Sequence, residues 1–240
     1  GGSRRSAIYA SLNWRHDDIN EFLRIKNWDD MHIGPLTYGD LKKTDFNFKA
    51  PLDMTNISVN YDNAWLEKEQ RELDPIFLEN CKQAMKTGEP GFSFNFGDKE
   101  NETLRNACNE VTSEDDSDVC NLGSINLGNI ETLDEFRSIV QAASKFLVCG
   151  TLRADLPYYK VQVVTEANRR LGMGLMGIHE WLLKRNYQYE VTPELHSWLR
   201  AYENESESAA NTLCDALGIS RPKAYRAIAP TGSIGILAGT

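Results

Sequence analysis

No apolar run in this 240-residue chain approaches the roughly 20 residues that a membrane-spanning helix requires, and no secretory leader opens it. Those absences point to a cytoplasmic protein without a membrane partner. Basic residues are in deficit: 26 Lys and Arg against 35 Asp and Glu leave a formal charge of −9. That sign is wrong for a surface that binds DNA directly. His16, His32, His179 and His196 stand far apart with no pair at metal-ligand spacing, so no metal site is expected. There is no Gly-x-Ser-x-Gly elbow and no Gly-x-Gly-x-x-Gly fingerprint opening a helix after a strand. Cysteine is sparse and odd in number, at 81, 108, 120, 149 and 214, which excludes a disulfide scaffold and suits reduced thiols. What is present is 41% hydrophobic and 25% charged residues, enough to bury a core of α/β type.

Along the chain, Gly1-Gly2-Ser3 admits a linker remnant. Yet Arg4-Arg5-Ser6-Ala7 runs straight into the strand-like Ile8-Tyr9-Ala10-Ser11-Leu12, and two arginines on a Gly-Gly turn suit an anionic or base-bearing ligand. Asp17 to Trp28 has a helical apolar face, and residues 29 to 55 read as irregular. Asn56-Ile57-Ser58-Val59-Asn60 alternates as a strand with a polar face, costly in a core unless it lines a cavity. Pro75 splits the helical stretch from Asn63 to Lys86 in two, and Phe92 to Phe96 alternates as a strand. Thr112 to Asp118 reads as a solvated acidic loop. Thr132 and Thr192-Pro193 mark helix starts. Arg169 to Gly177 reads as an unusual helix, since three glycines each cost about 1 kcal/mol against alanine. Either tight packing or ligand contact would offset that.

The chemistry concentrates at Asn106-Ala107-Cys108-Asn109-Glu110, followed by Cys120-Asn121-Leu122-Gly123-Ser124-Ile125-Asn126-Leu127. In extended backbone, alternate side chains share a face, so Asn106, Cys108 and Glu110 are expected to converge on one cavity. Cys108 and Cys120 stand among polar residues and are candidate functional thiols. Cys81, Cys149 and Cys214 keep apolar company and read as small buried hydrophobes. Pro230-Thr231-Gly232-Ser233-Ile234 precedes a helix-like run, a plausible anion cradle of backbone amides that lacks the Walker ending.

Asn106-x-Cys108-x-Glu110 with the Cys120 to Leu127 segment resembles the catalytic core of the ribonucleotide reductase large subunit. The other motifs agree in order. Gly1-Gly2-Ser3-Arg4-Arg5-Ser6-Ala7 resembles the family's specificity loop, Arg169 to Gly177 its Arg-Arg-x-Gly-x-Gly helix, and Pro230 to Ile234 its substrate-phosphate loop. Ile8 to Trp14 is similar in style to the adenosylcobalamin-dependent class. The resemblance implies part of a ten-stranded α/β barrel, with residues 1–240 as a single partial catalytic barrel domain. The N-terminal half-barrel and C-terminal tail would lie outside this chain.

Roles follow from the same resemblance. Cys108 would become the thiyl radical that takes the 3′-hydrogen of the ribose, with Glu110 as base on the 3′-hydroxyl and Asn106 holding the sugar hydroxyls. Cys120 would be one of two cysteines that reduce the substrate and end as a disulfide. Main-chain amides at Pro230, Thr231, Gly232, Ser233 and Ile234 would bind phosphates. The implied cofactor is adenosylcobalamin, or else a radical supplied by a separate metal-containing subunit. The implied partners are a ribonucleoside di- or triphosphate, dNTP or ATP effectors and a thioredoxin- or glutaredoxin-like reductant. The rest of the enzyme and a second copy in a homodimer complete the set. The expected redox partner of Cys120 and the C-terminal relay cysteines are not in these residues. The expectation is a catalytic core fragment that does not turn over alone. The competing readings are an assembly piece of a split gene that needs its complement, or another barrel radical enzyme of the glycyl-radical kind. Cys120 and the arginine loop favour the reductase.

Overall fold

The computed structural model describes residues 7–240, and the chain divides into two compact units between Glu114 and Asp115. In the first unit, β1 (Ile8–Asn13) is followed by α1 (Ile19–Arg24), then by a small antiparallel pair, β2 (His32–Ile33) and β3 (Leu36–Thr37). Next come α2 (Tyr38–Thr44), β4 (Thr55–Tyr61), α3 (Asn63–Leu66), α4 (Pro75–Thr87) and β5 (Gly91–Phe94). A hairpin of β6 (Leu104–Arg105) and β7 (Thr112–Ser113) ends the unit. The stretch expected to be irregular thus holds ordered structure. Thr37 and Asp40 close a reciprocal capping box at the start of α2.

The strands β1, β4 and β5 form a parallel sheet in the order β1-β4-β5. Residues paired in register share a face, so the sheet has two chemically distinct sides. One side carries Leu12, Ile57, Val59, Tyr61, Phe92 and Phe94. Val59 and Tyr61 from this side pack with Ile19, Leu23 and Trp65 as a core. Asp74 caps α4 through the amides of Ile76 and Phe77, with Pro75 in the first turn, which is where Pro75 was expected to divide the helices. The other side carries Tyr9, Ser11, Asn13, Asn56, Ser58, Asn60 and Ser93. Ser58, Asn60 and Ser93 on this side are all buried.

In the second unit, β8 (Cys120–Asn126) leads through α5 (Leu133–Arg153) and α6 (Tyr159–Asn168) to β9 (Arg170–Met176). Then follow α7 (Ile178–Lys184), α8 (Pro193–Leu217) and α9 (Gly232–Ala238). β8 and β9 pair in parallel from Cys120↔Arg170 to Asn126↔Met176. The segment 224–227 adds a third parallel run beyond β9, through a bridge of Met173 with Arg226 and amide bonds on both sides of it. Ile125, Leu171, Met173 and Leu175 face a core built by Phe136, Val140 and Val148 of α5 and by Trp198 and Tyr202 of α8. Thr132 and Thr192 cap α5 and α8 by accepting from Glu135 and Leu195 amides, as their sequence positions led one to expect. Among the described residues neither sheet closes on itself, and no helix is long and apolar enough to cross a membrane.

Arg169 to Gly177 is a strand and not the helix expected. Arg169 ends α6 in the left-handed region at φ 43°, and β9 starts at the next residue. The glycines that would weaken a helix serve here in close strand packing. A Cβ on Gly174 would stand 2.8 Å from the Ala227 carbonyl oxygen and 3.2 Å from Ser124 Oγ. Leu171, Met173 and Leu175 then fall on one face at a period of two.

Candidate active site

Asn106 to Glu110 form the turn between β6 and β7, so the expected extended run with three side chains on one face is not what the chain builds. Asn109 adopts φ 69°, a left-handed conformation that asparagine tolerates better than most residues. Its amide donates to the Asn106 carbonyl at 3.0 Å, and the Val111 amide donates to Asn106 Oδ1 at 3.1 Å. A side chain that satisfies its own turn competes with the strand ladder, and the alternation ends there. The trio occupies alternate positions of this one turn. Cys108 is exposed. Glu110 is half-buried, and its Oε2 is shielded from solvent with no hydrogen-bond partner. With Asn106 Oδ1 occupied, its Nδ2 is the group left to donate to a ligand.

The hairpin meets the polar side of the β1-β4-β5 sheet at two points. In its stem, Arg105 donates from Nε to Ser93 Oγ at 2.8 Å and from Nη2 to Asn95 Oδ1 at 3.0 Å. In its turn, the Ala107 carbonyl accepts from Asn56 Nδ2 at 2.5 Å. Burial pushes the Arg105 pKa down, while Tyr9 and Glu102 pull it back up, and the guanidinium keeps its charge. Below, Asn60 Nδ2 donates to Ser11 Oγ at 3.0 Å, but Asn60 Oδ1 and the Tyr9 hydroxyl are buried without partners. The polar face suspected from β4 therefore underlies the motif. Sequence reasoning missed Arg105, Ser93 and Asn95; the signal available was a lone arginine beside the motif and a second alternating polar pair.

Cys120 lies in the second unit, at the start of β8 and opposite Arg170 in the ladder. It shares the face away from the core with Leu122 and Ser124 and with Gly172 and Gly174 of β9. A Cβ on Gly172 would stand 2.9 Å from Cys120 Sγ and 2.3 Å from Leu122 Cδ2, so bare backbone seats the sulfur. Arg170 Nε donates to Asp118 Oδ2 at 2.6 Å, and both side chains are 6% exposed. Asp118 also accepts from Asn168 Nδ2 at 2.9 Å, which in turn donates to Asp115 at 2.8 Å. Hydrogen bonds from Asn168 and Lys223 hold the Asp115 carboxyl below its usual range. The acidic loop is thus not wholly solvated: its end is a buried ion pair beside Cys120, formed because Arg170 arrives on the neighbouring strand. Of the cysteines expected to be buried hydrophobes, Cys214 is buried, Cys81 is half-buried and Cys149 is exposed. Cys149 follows the fully buried Val148 by one helical step, which turns it from the core.

Pro230, Thr231, Gly232, Ser233 and Ile234 run into α9, which starts at Gly232. Thr231 precedes the helix without a side-chain cap, leaving first-turn amides uncapped by side chains. Thr231, Gly232 and Gly235 line a cleft of roughly 660 Å³ with Gly177, His179 and Glu180. Lys184 and Thr240 hold the Glu180 carboxyl below its usual range by hydrogen bonds. Of the expected specificity loop, Gly1, Gly2, Ser3, Arg4, Arg5 and Ser6 lie outside the described residues, and Ala7 is exposed ahead of β1.

The family model for the ribonucleotide reductase barrel domain matches residues 1–202. The chain is 28% identical over 263 residues to a putative adenosylcobalamin-dependent ribonucleoside-triphosphate reductase of Mycobacterium phage D29, covering 100% of this chain and 35% of that protein. It is likewise 28% identical over 279 residues to the vitamin B12-dependent ribonucleoside-diphosphate reductase of Thermoplasma acidophilum, with the same two coverages. The chain therefore spans about a third of the length of these curated relatives. Among solved structures, the class Id ribonucleotide reductase alpha subunit of Actinobacillus ureae superposes with a TM-score of 0.66 at 17% identity. That match covers 96% of this chain and 47% of the other, a likeness of fold.

Proposed function

This chain belongs to the ribonucleotide reductase barrel-domain family, and from that premise we propose that it carries the thiol chemistry converting a ribonucleotide to its 2′-deoxy form. One observation carries the proposal: an exposed thiol, Cys108, shares a five-residue turn with a carboxylate oxygen of Glu110 that is shielded from solvent and has no partner. A carboxylate oxygen without a partner is open to a hydrogen bond from a substrate hydroxyl, and a thiol on an accessible turn can exchange a hydrogen atom.

In this reading Cys108, as a thiyl radical, takes the 3′-hydrogen, while Glu110 takes the proton of the 3′-hydroxyl. Asn106 donates from Nδ2 to a sugar hydroxyl, its Oδ1 being held by Val111. Cys120 and a second thiol supply two electrons and two protons, the 2′-oxygen leaves as water and the two sulfurs end as a disulfide. Glu110 returns its proton to the 3′-oxygen and Cys108 gives the hydrogen atom back to C3′, regaining the thiyl radical. The first-turn amides of α9, with Pro230 to Ile234, receive the phosphates of a di- or triphosphate. Adenosylcobalamin, named for the phage relative as vitamin B12 is for the Thermoplasma one, would supply a carbon-centred radical when bound, and the exposed position of Cys108 suits an external radical source. Effector nucleotides at Gly1 to Ala7, a thioredoxin- or glutaredoxin-like dithiol and a homodimer complete the proposal.

The test replaces the matching third of the Thermoplasma acidophilum enzyme with this chain and measures deoxyribonucleotide formation with adenosylcobalamin and a dithiol. The chimera is expected to turn over, the chain alone is expected not to, and Cys108→Ser in the chimera should fall to background. Sustained turnover by Cys108→Ser would overturn the assignment.

A further inference from the structure

We infer that Arg105 and Asn56 are positioning residues that clamp the Cys108 turn onto the polar side of the β1-β4-β5 sheet and so set where the thiol stands. The β6–β7 ladder is only two residues long on each side, and an isolated two-stranded hairpin is marginal in water. Its placement therefore needs outside support. Arg105 supplies it at the stem. Its planar fork bridges Ser93 Oγ and Asn95 Oδ1, and Asn95 Nδ2 donates to Ser93 Oγ at 3.1 Å, closing a ring of three side chains. Ser93 and Asn95 are 1% and 3% exposed, so the anchor is set in a buried floor.

Asn56 supplies the second point, at the carbonyl of Ala107, the residue next to Cys108. Ser93 lies near the end of β5, Asn95 just beyond it and Asn56 near the start of β4, so the hairpin is tied diagonally across two strands. Two ties at separated points fix direction as well as height, which one tie or an apolar contact cannot do. A serine and an asparagine buried beneath a hairpin cost stability unless they are hydrogen-bonded, and here Ser93 Oγ and Asn95 Oδ1 both accept from the hairpin stem while Asn95 Nδ2 stays on Ser93. The purpose of the clamp rests on the reading of Cys108 as the reacting thiol; its geometry does not.

The experiment places a nitroxide spin label on Cys108 in a Cys149→Ser chain, with single labelling checked by mass spectrometry, and reads mobility from the electron paramagnetic resonance line shape. The native hairpin should give an immobilised spectrum. Arg105→Lys keeps the charge but cannot bridge two acceptors, and Asn56→Ala trims an exposed side chain with little risk to folding. Each should add a mobile component with a correlation time several-fold shorter, and the pair together should make it dominant. A label on Cys149 in a Cys108→Ser chain should keep its line shape in the same variants. An unchanged Cys108 spectrum in the double variant overturns the clamp, as does an equal gain in mobility at Cys149. No turnover is measured, so a failed clamp leaves the reductase reading standing, and a failed Cys108→Ser test leaves the clamp standing.

Discussion

Cys108 and Cys120 are held by different means. Cys108 rides on a turn placed by side-chain ties to other strands, Arg105 of its own stem reaching out to Ser93 and Asn95 and Asn56 of β4 reaching in to Ala107. Cys120 begins a strand whose place is set by seven ladder pairs with β9 and by the core behind it. Side-chain ties can be cut one at a time, each for the net worth of a hydrogen bond, whereas a ladder position yields only if the sheet does. The first support is adjustable and local; the second is stiff and shared.

Three changes test that contrast, from the largest expected effect down. Asp118→Asn removes the carboxylate that accepts from Arg170 Nε, weakening a buried ion pair, and should destabilise the second unit by about 3–5 kcal/mol. Urea unfolding followed through Trp181 and Trp198, both buried in that unit, reads the loss; a cost below about 1 kcal/mol would mean that the strand end is not held as described. Gly174→Ala pushes a methyl group against the backbone carbonyl of Ala227, which has no flexible end to move aside, and should cost about 1–3 kcal/mol. The same change at Gly172 meets mainly side-chain atoms of Leu122 and Cys120 and should cost less, so equal midpoints for the two variants would break the argument. Ser93→Ala removes one of the two acceptors of Arg105 and should cost only about 1 kcal/mol. Hydrogen exchange should then rise in residues 104–113 while β8 and β9 keep their protection.

Much of the fold was legible where a signal is local. Pro75, Thr132 and Thr192-Pro193 mark helix starts because caps are short-range devices, and β1, β4 and β5 announce themselves by alternation. The motif misled for a related reason. Asn106, Cys108 and Glu110 alternate like a strand, but Asn109 turns left-handed and Asn106 bonds its own turn, an outcome set by two residues that any periodicity count averages away. In Arg169 to Gly177 the glycine count outweighed the better clue, the period-two spacing of Leu171, Met173 and Leu175. The Asp118–Arg170 pair was out of reach, since its members lie on segments joined only by the sheet.

The parallel pairing of β8 with β9 also sets an order of birth. Cys120 meets Arg170 about fifty residues later in the chain, and the third run at 224–227 comes about as far again after β9. At synthesis rates of about 5–20 residues per second, β8 leaves the ribosome roughly 2–10 s before its partner exists. Helix α5, made in that interval, can form within microseconds and offers Phe136, Val140 and Val148 as a first apolar surface for the waiting strand. The nascent second unit would thus spend its early life as a strand leaning on a helix, completing its sheet last at the segment that leads to α9.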